Sequence, residues 1–332
     1  MKKFLALILS LFSAIFVLTG CSNKSLILNG RYYQGNLAGD EALKETSVYT
    51  VTVVNKTPSN STDVKNDNVT MVINEGTYVT TLTSASLLSE NLNKYRNGYL
   101  YETNLSISGK YVINGVDHPF NDEYKTSTYL KSYHENLQPY ETTKTVKSST
   151  LLASNEYFVD TIEYSYVIKY EDKANVDFTV IKDDKNRLDS LKGSVSYSKY
   201  NDGAFIDNEL ILFLPRTVNL EYNYFQNFKT VDVLSKKVQN CAYSNTIIED
   251  KPDVKTFTLP SYTLNNGTPE DKTVTATHLT VKLTGTYKGA EIEAYYANDQ
   301  KDMRRNLVKL YTAVNSSLGY LEYTLKSVTR NT

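Results

Sequence analysis

Tryptophan is absent from this 332-residue sequence, and cysteine (2), histidine (3), proline (7) and glycine (14) are scarce. Two cysteines, Cys21 and Cys241, permit at most one disulfide, which excludes a small scaffold stapled by several bridges. His118, His134 and His278 stand far from one another and from Cys241, so no zinc-ligand spacing is present. The few glycines form no phosphate-cradling loop and no Gly-x-Ser-x-Gly elbow, and no Ser-x-x-Lys is joined by the other signatures of an acyl-serine enzyme. With 36 basic against 37 acidic residues the net charge is −1, which excludes the clustered positive excess of a nucleic-acid surface. No catalytic, metal or cofactor motif is visible.

Long apolar runs are also missing, with one exception. Phe4 to Leu18 is apolar except for Ser10 and Ser13 and follows Lys2 and Lys3, the layout of a secretory signal. The run is about 15 residues, whereas a helix needs about 20 to cross the hydrocarbon core, so a retained transmembrane span is disfavoured. Directly after it stand Leu18-Thr19-Gly20-Cys21, an aliphatic residue, a small residue, Gly and Cys. This stretch resembles the lipobox of bacterial prolipoproteins at every position. The resemblance implies signal-peptidase recognition through Leu18, Thr19 and Gly20, cleavage before Cys21, and diacylglycerol attachment to the Cys21 sulfur. It implies a chain held extracytoplasmically on the cell membrane by its acyl chains, two or more of which hold where one is marginal. Cys241 is then left without a partner and is expected as a small buried hydrophobe.

What the sequence has in quantity is tyrosine, 28 residues, together with Thr, Ser, Asn and Lys. Tyr, Thr, Val and Ile favour strands, and period-two alternation recurs along the chain. Val48 to Val54 alternates, with Tyr49, Val51 and Val53 on one face. Ile162, Tyr164, Tyr166, Ile168 and Tyr170 form the clearest strand face, opposite Glu163, Ser165 and Lys169. Strands are also expected over 99–112, 124–133, 141–148, 176–181, 194–200, 218–225, 231–238, 274–287 and 320–328. Leu210 to Leu214 is apolar on both faces and is expected as a central or twice-covered strand within 205–214, ended by Pro215. Asn74-Glu75-Gly76 reads as a hairpin turn between 69–73 and 78–82, Asn114-Gly115 as another, and Pro139 as a break.

Helical signals are few. Leu88, Leu92 and Tyr95 recur at helical spacing before Gly98, so 84–97 is expected as a helix covering one face of a sheet. Residues 299–311 fit a helix or a strand. Asp183-Asp184-Lys185-Asn186 lacks calcium-loop spacing and is expected as a polar hairpin tip. Arg304-Arg305 with Lys301 and Lys309, the only local basic cluster, is expected as a solvated strand end or helix face. Leu105 to Tyr111 echoes Val281 to Tyr287, from duplication of a β unit or from chance among alternating strands.

The expected organisation is therefore a signal peptide over 1–20, a lipidated tether over 21–25, and a β-rich region over 26–332, as one unit or as two divided near 150–156. The fold class is mainly β, a large curved antiparallel sheet forming an incomplete barrel or sandwich with one or two short helices. The layout is similar in architecture to lipoproteins of the LolA and LprG kind, half-barrels that carry lipid in their concavity. Three functions remain open, of which binding of a ligand is expected first and a structural or adhesive role second. A non-enzymatic binder of a lipophilic or other small ligand requires an apolar pocket lined by residues such as Leu212, Tyr164 and Tyr166. A structural or adhesive envelope protein requires a filled core. A hydrolase, ranked last, requires acids or nucleophiles gathered in one cleft. The membrane, reached through acyl chains on Cys21, is the one partner expected, and no nucleic acid is.

Overall fold

The computed structural model describes residues 43–55, 69–84, 98–133, 136–149, 161–171, 173–197, 205–217, 220, 225–234, 236–245, 247–248, 251–282, 291–299, 303–315 and 318–331. The expected leader, Cys21 and its lipobox, the 84–97 helix beyond Ser84, and His134 lie outside the described residues. So do most of the 218–225 strand and all of the 150–156 boundary.

Seventeen strands account for nearly all the described structure. They are β1 (Lys44–Val54), β2 (Val69–Ser84), β3 (Gly98–Ile113), β4 (Val116–Tyr133), β5 (Asn136–Ser148), β6 (Ile162–Tyr170), β7 (Ala174–Lys182), β8 (Gly193–Tyr197) and β9 (Phe225–Asp232). The rest are β10 (Lys237–Asn245), β11 (Ile247–Ile248), β12 (Lys251–Pro252), β13 (Val254–Leu264), β14 (Glu270–Lys282), β15 (Glu291–Ala297), β16 (Leu307–Asn315) and β17 (Gly319–Arg330). One sheet runs in the order β8-β7-β6-β5-β4-β3-β2-β1-β17-β16-β15-β14-β10-β9, with β13 paired to both β14 and β17. The first described strand, β1, lies in the middle of this sheet; from it the strands follow in order to one end at β8, resume at the other end with β9, and come back to β17 beside β1. The sheet is continuous from β5 to β6 on either side of 150–156.

The two ends of the sheet meet without a full ladder. Phe205 bridges Lys229 of β9, and the Ile206 amide donates to the Lys229 carbonyl at 2.8 Å. Val231 and Val233 at the end of β9 pack with Ile162, Tyr164, Tyr166, Phe178 and Tyr197 of β6 to β8. The result is a curved antiparallel sheet forming an incomplete barrel, as the alternation of its strands leads one to expect. On β1, Tyr49 and Val51 face the interior, and on β6 all five residues of the expected apolar face are buried.

Several expectations are corrected. Asn74-Glu75-Gly76 makes no hairpin turn: β2 runs unbroken along β3, and the extra residue is absorbed as a bulge between Ile73 and Glu75. Gly76 is needed there, since a Cβ would stand 2.3 Å from the Val51 carbonyl oxygen. Pro139 does not break the chain; it lies in β5 beside a bulge opposite Tyr129 and Leu130. The 231–238 stretch is not one strand: 231–232 end β9 and 237–238 begin β10, paired to each other across the connection, in which Lys236 stands at φ 54. Asn114-Gly115 does turn the chain, both residues at positive φ, between β3 and β4. Within the ambiguous 299–311 stretch, 303–306 form a turn and 307–311 begin β16. Arg305 there is buried and Lys309 is paired with Glu322, so this part of the basic cluster is no solvated face.

The largest correction concerns residues 205–214, which form no strand. Asn208–Leu210 and Leu214–Thr217 are short 3-10 turns, and the segment lies inside the barrel. Two-sided apolarity suits any fully buried segment, and Asp207, whose carboxylate caps the Glu209 amide at 2.8 Å, starts a helical turn instead.

Candidate functional site

The inward segment 205–217 is the organising feature of the interior. Phe205, Ile206, Leu210, Ile211, Phe213 and Leu214 are all buried, a gross gain on the order of 10 kcal/mol before ordering costs. Phe213 packs on the ring of Tyr101 at 4.7 Å. Two wall tyrosines reach its main chain: Tyr243 donates to the Ile211 carbonyl at 2.7 Å and Tyr296 to the Leu212 carbonyl at 2.8 Å. These bonds satisfy carbonyls that no ladder serves.

Charged groups fasten both of its ends. Near the C-terminal end, Arg216 Nη2 lies 2.7 Å from Glu45 Oε1, and Arg330 Nε lies 2.7 Å from Glu45 Oε2. Burial alone would push the Glu45 carboxyl up, but Arg216 and Arg330 more than offset this and hold it below its ordinary value. Near the N-terminal end, Lys144 Nζ lies 2.7 Å from Glu209 Oε1, which also accepts from the Tyr166 hydroxyl at 3.2 Å. Tyr170 donates to Asp207. Burial, and then the charge of Glu209, push the Asp207 carboxyl up to about 6. Burial, with Glu209 beside it, drives the Tyr166 hydroxyl well above its usual range, so that it acts as a fixed donor.

Beside the segment, a cavity of about 50 Å³ opens at the seam where the two ends of the sheet approach, lined by Lys144, Tyr164, Tyr166, Asn208, Thr230 and Gln239 among others. A second, of about 60 Å³, lies near Thr277, Tyr296 and Arg305. Tyr164 and Tyr166, expected to line an apolar pocket, do line the first cavity, but Leu212 is not among its walls and polar groups share it. Spaces of this size hold a few waters or a small substituent rather than an acyl chain.

The remaining sequence candidates are dispersed. His278 lies at the point where β14 changes neighbour from β13 to β10. Its Nδ1 is 3.2 Å from Asp253 Oδ2, its Nε2 is 3.9 Å from Glu293 Oε2, and its ring stacks on Tyr295 at 4.6 Å. Burial pushes its pKa down more than the two carboxylates raise it, which favours the neutral imidazole. His118 lies on β4, far along the sheet. Among the described residues no group of three or more His, Cys, Asp or Glu side chains is placed to hold a metal ion, and no helix is long and apolar enough to cross a membrane. Cys241 is buried in the main core. Asp183 accepts from the Leu188 amide at 2.6 Å in a polar turn between β7 and β8. The echo of Leu105 to Tyr111 reaches only Val281 and Lys282 of β14 before leaving the described residues.

No family model and no curated relative matches the sequence. Among solved structures the chain is similar to a beta-barrel-like protein of a domain of unknown function, DUF1849, from Brucella abortus, at 8% identity and a TM-score of 0.43, covering 88% of this chain and 99% of that one.

Proposed function

We propose that this chain is a lipid-anchored envelope protein whose barrel-like body serves a structural or adhesive role and carries no lipid in its interior. One observation weighs most: residues 205–217 occupy the concavity in which a half-barrel carrier would hold its ligand, and are fastened to the wall by Arg216–Glu45, Lys144–Glu209 and the hydroxyls of Tyr243 and Tyr296. A carrier of this architecture would have to expel about six buried apolar side chains and break both ion pairs to admit an acyl chain, at a cost of many kcal/mol. The address rests on the lipobox Leu18-Thr19-Gly20-Cys21, with Cys21 as the lipidated residue.

The anchor is tested by expressing the full chain and its Cys21→Ser variant with a clickable fatty-acid probe. Labelling and membrane retention of the first, both lost in the second, are expected; equal labelling of both contradicts the anchor.

A further inference from the structure

β13 is the strand of the main sheet that lies off its linear order. Its first part, Val254 to Leu259, is laddered to β14 along one edge, and among the described residues no strand pairs with the other. Val254, Thr256 and Thr258 are exposed, while Lys255 and Phe257 face the buried Tyr295 of β15. Lys255 Nζ is 3.3 Å from the Tyr295 hydroxyl, and the Phe257 and Tyr295 rings meet edge-on at 5.0 Å. A strand held along one edge with a wet outer face belongs to the easily opened part of a fold.

His278 fastens the start of this arm. It stands between Thr277, which pairs with Val254, and Leu279, which pairs with Asn245 of β10. Asp253, the residue before β13, is gripped twice. The His278 amide donates to its carbonyl at 2.9 Å, and His278 Nδ1 lies 3.2 Å from its Oδ2.

The imidazole is 3% exposed, so a proton taken up there would be held almost without water. The charged and titratable groups around it are Asp253 and Lys255 on the β13 side and Glu293 and Tyr295 on β15, with Tyr311 and the Lys309–Glu322 pair behind them on β16 and β17. Lys255 already shares the Asp253 oxygen that faces the ring, at 3.8 Å. Glu293 Oε2 is 3.9 Å from Nε2, too far for a hydrogen bond, and accepts from the Tyr295 hydroxyl at 3.4 Å. An imidazolium would therefore be compensated only in part, and burial lowers the His278 pKa by more than Glu293 and Asp253 raise it. With the arm open, the same ring would meet water and regain its ordinary value. The closed arm is thus favoured above about pH 6.5 and loses that advantage as pH falls through the lower, folded value.

We propose that Asp253 and His278 form an acid-sensitive latch: proton uptake on the imidazole releases the start of β13 from β14 and uncovers the Phe257 and Tyr295 rings, while the other ladders of the sheet stay closed. The latch depends neither on the anchor nor on what fills the barrel.

The test is amide hydrogen exchange from pH 8 to 5, corrected for intrinsic rates, on the chain from residue 21 onward carrying Cys21→Ser. Three forms are compared: this chain, the same chain with His118→Gln and His134→Gln, and the same chain with His278→Gln. In the first two, amides of 254–259 and 276–279 are expected to lose protection by up to about tenfold per pH unit below about pH 6.5, the slope that one linked proton gives. Amides of β3 and β4 should keep theirs. In the second form His278 is the sole histidine, and its imidazole, followed by NMR, should titrate below the ordinary value and over the range in which protection falls. His278→Gln keeps a donor for Asp253 without a titrating ring, so its protection over 254–259 should not depend on pH. No acid loss in the first two forms, an equal loss in His278→Gln, a loss spread over the whole sheet, or an imidazole titrating at or above its ordinary value would each overturn the proposal. Should His278→Gln fail to fold, the titration in the second form decides.

Discussion

The two carboxylate oxygens of Glu45 are divided between two arginines: Oε1 lies 2.7 Å from Arg216 Nη2 of the inward segment, and Oε2 lies 2.7 Å from Arg330 Nε at the end of β17. All three side chains are nearly closed off from water, and β1 and β17 are paired neighbours in the sheet. The last strand, the first strand and the segment that fills the barrel thus converge on one acid.

Arg216→Met should lower unfolding free energy by about 3–5 kcal/mol, because one oxygen of a buried carboxylate loses its partner. Glu45→Gln combined with Arg216→Met should cost less than the sum of the single changes, since the Arg216–Glu45 pair is then removed together and only Arg330 is left without its carboxylate. Denaturant unfolding of the four proteins measures this; strict additivity would show that the pair is energetically independent.

Asp207 and Glu45 should give acid responses of opposite sign. The Asp207 carboxyl, raised to about 6 in the fold, binds its proton more tightly there than in the unfolded chain, so its contribution is full below its unfolded value and is lost as pH rises through about 6. Glu45 is depressed, so its contribution is present above its unfolded value and is lost as pH falls through its folded one. Asp207→Asn should raise stability at pH 7 by about 1–3 kcal/mol and abolish the difference from wild type below about pH 4. Urea midpoints of the two proteins from pH 3 to 8 check this, and a pH-independent difference would contradict it. Because only the difference is read, acid losses from Glu45 and from protonation of His278 cancel.

Gly109→Ala should be destabilising by about 1–3 kcal/mol, since the new Cβ would stand 1.9 Å from the Val72 carbonyl oxygen across the bulged β2–β3 ladder. Ser106→Ala, exposed on the same strand, should change stability by less than about 0.5 kcal/mol. Thermal melts of both variants compare them; equal melting temperatures would mean that the ladder yields at the bulge.

The sheet was legible in the sequence wherever one face is wet. Ile162 to Tyr170 alternates because one side of β6 packs on Phe178 and its neighbours while the other meets solvent, and period two records that difference directly. Leu210 to Leu214 misleads for the same physical reason: a segment enclosed on all sides has no wet face to set a period, so strand and buried turn look alike. Asn74-Glu75-Gly76 misleads because turn chemistry also suits a bulge. The seam cavity was not legible at all, since Lys144, Asn208, Thr230 and Gln239 are brought together by the pairing order of β5, β6, β9 and β10 and carry no local pattern. Tyr164 and Tyr166 share a strand face that the alternation shows, and the partners they meet come only from the fold.

The filled interior is tested most directly by native mass spectrometry with organic-solvent extraction on the chain from residue 21 onward carrying Cys21→Ser, purified from a lipid-producing host. The account predicts a mass equal to that of the polypeptide and a lipid-free extract, unchanged after incubation with membrane lipids. A stoichiometric co-purifying lipid would contradict it, and would mean that residues 205–217 leave the barrel to admit a ligand.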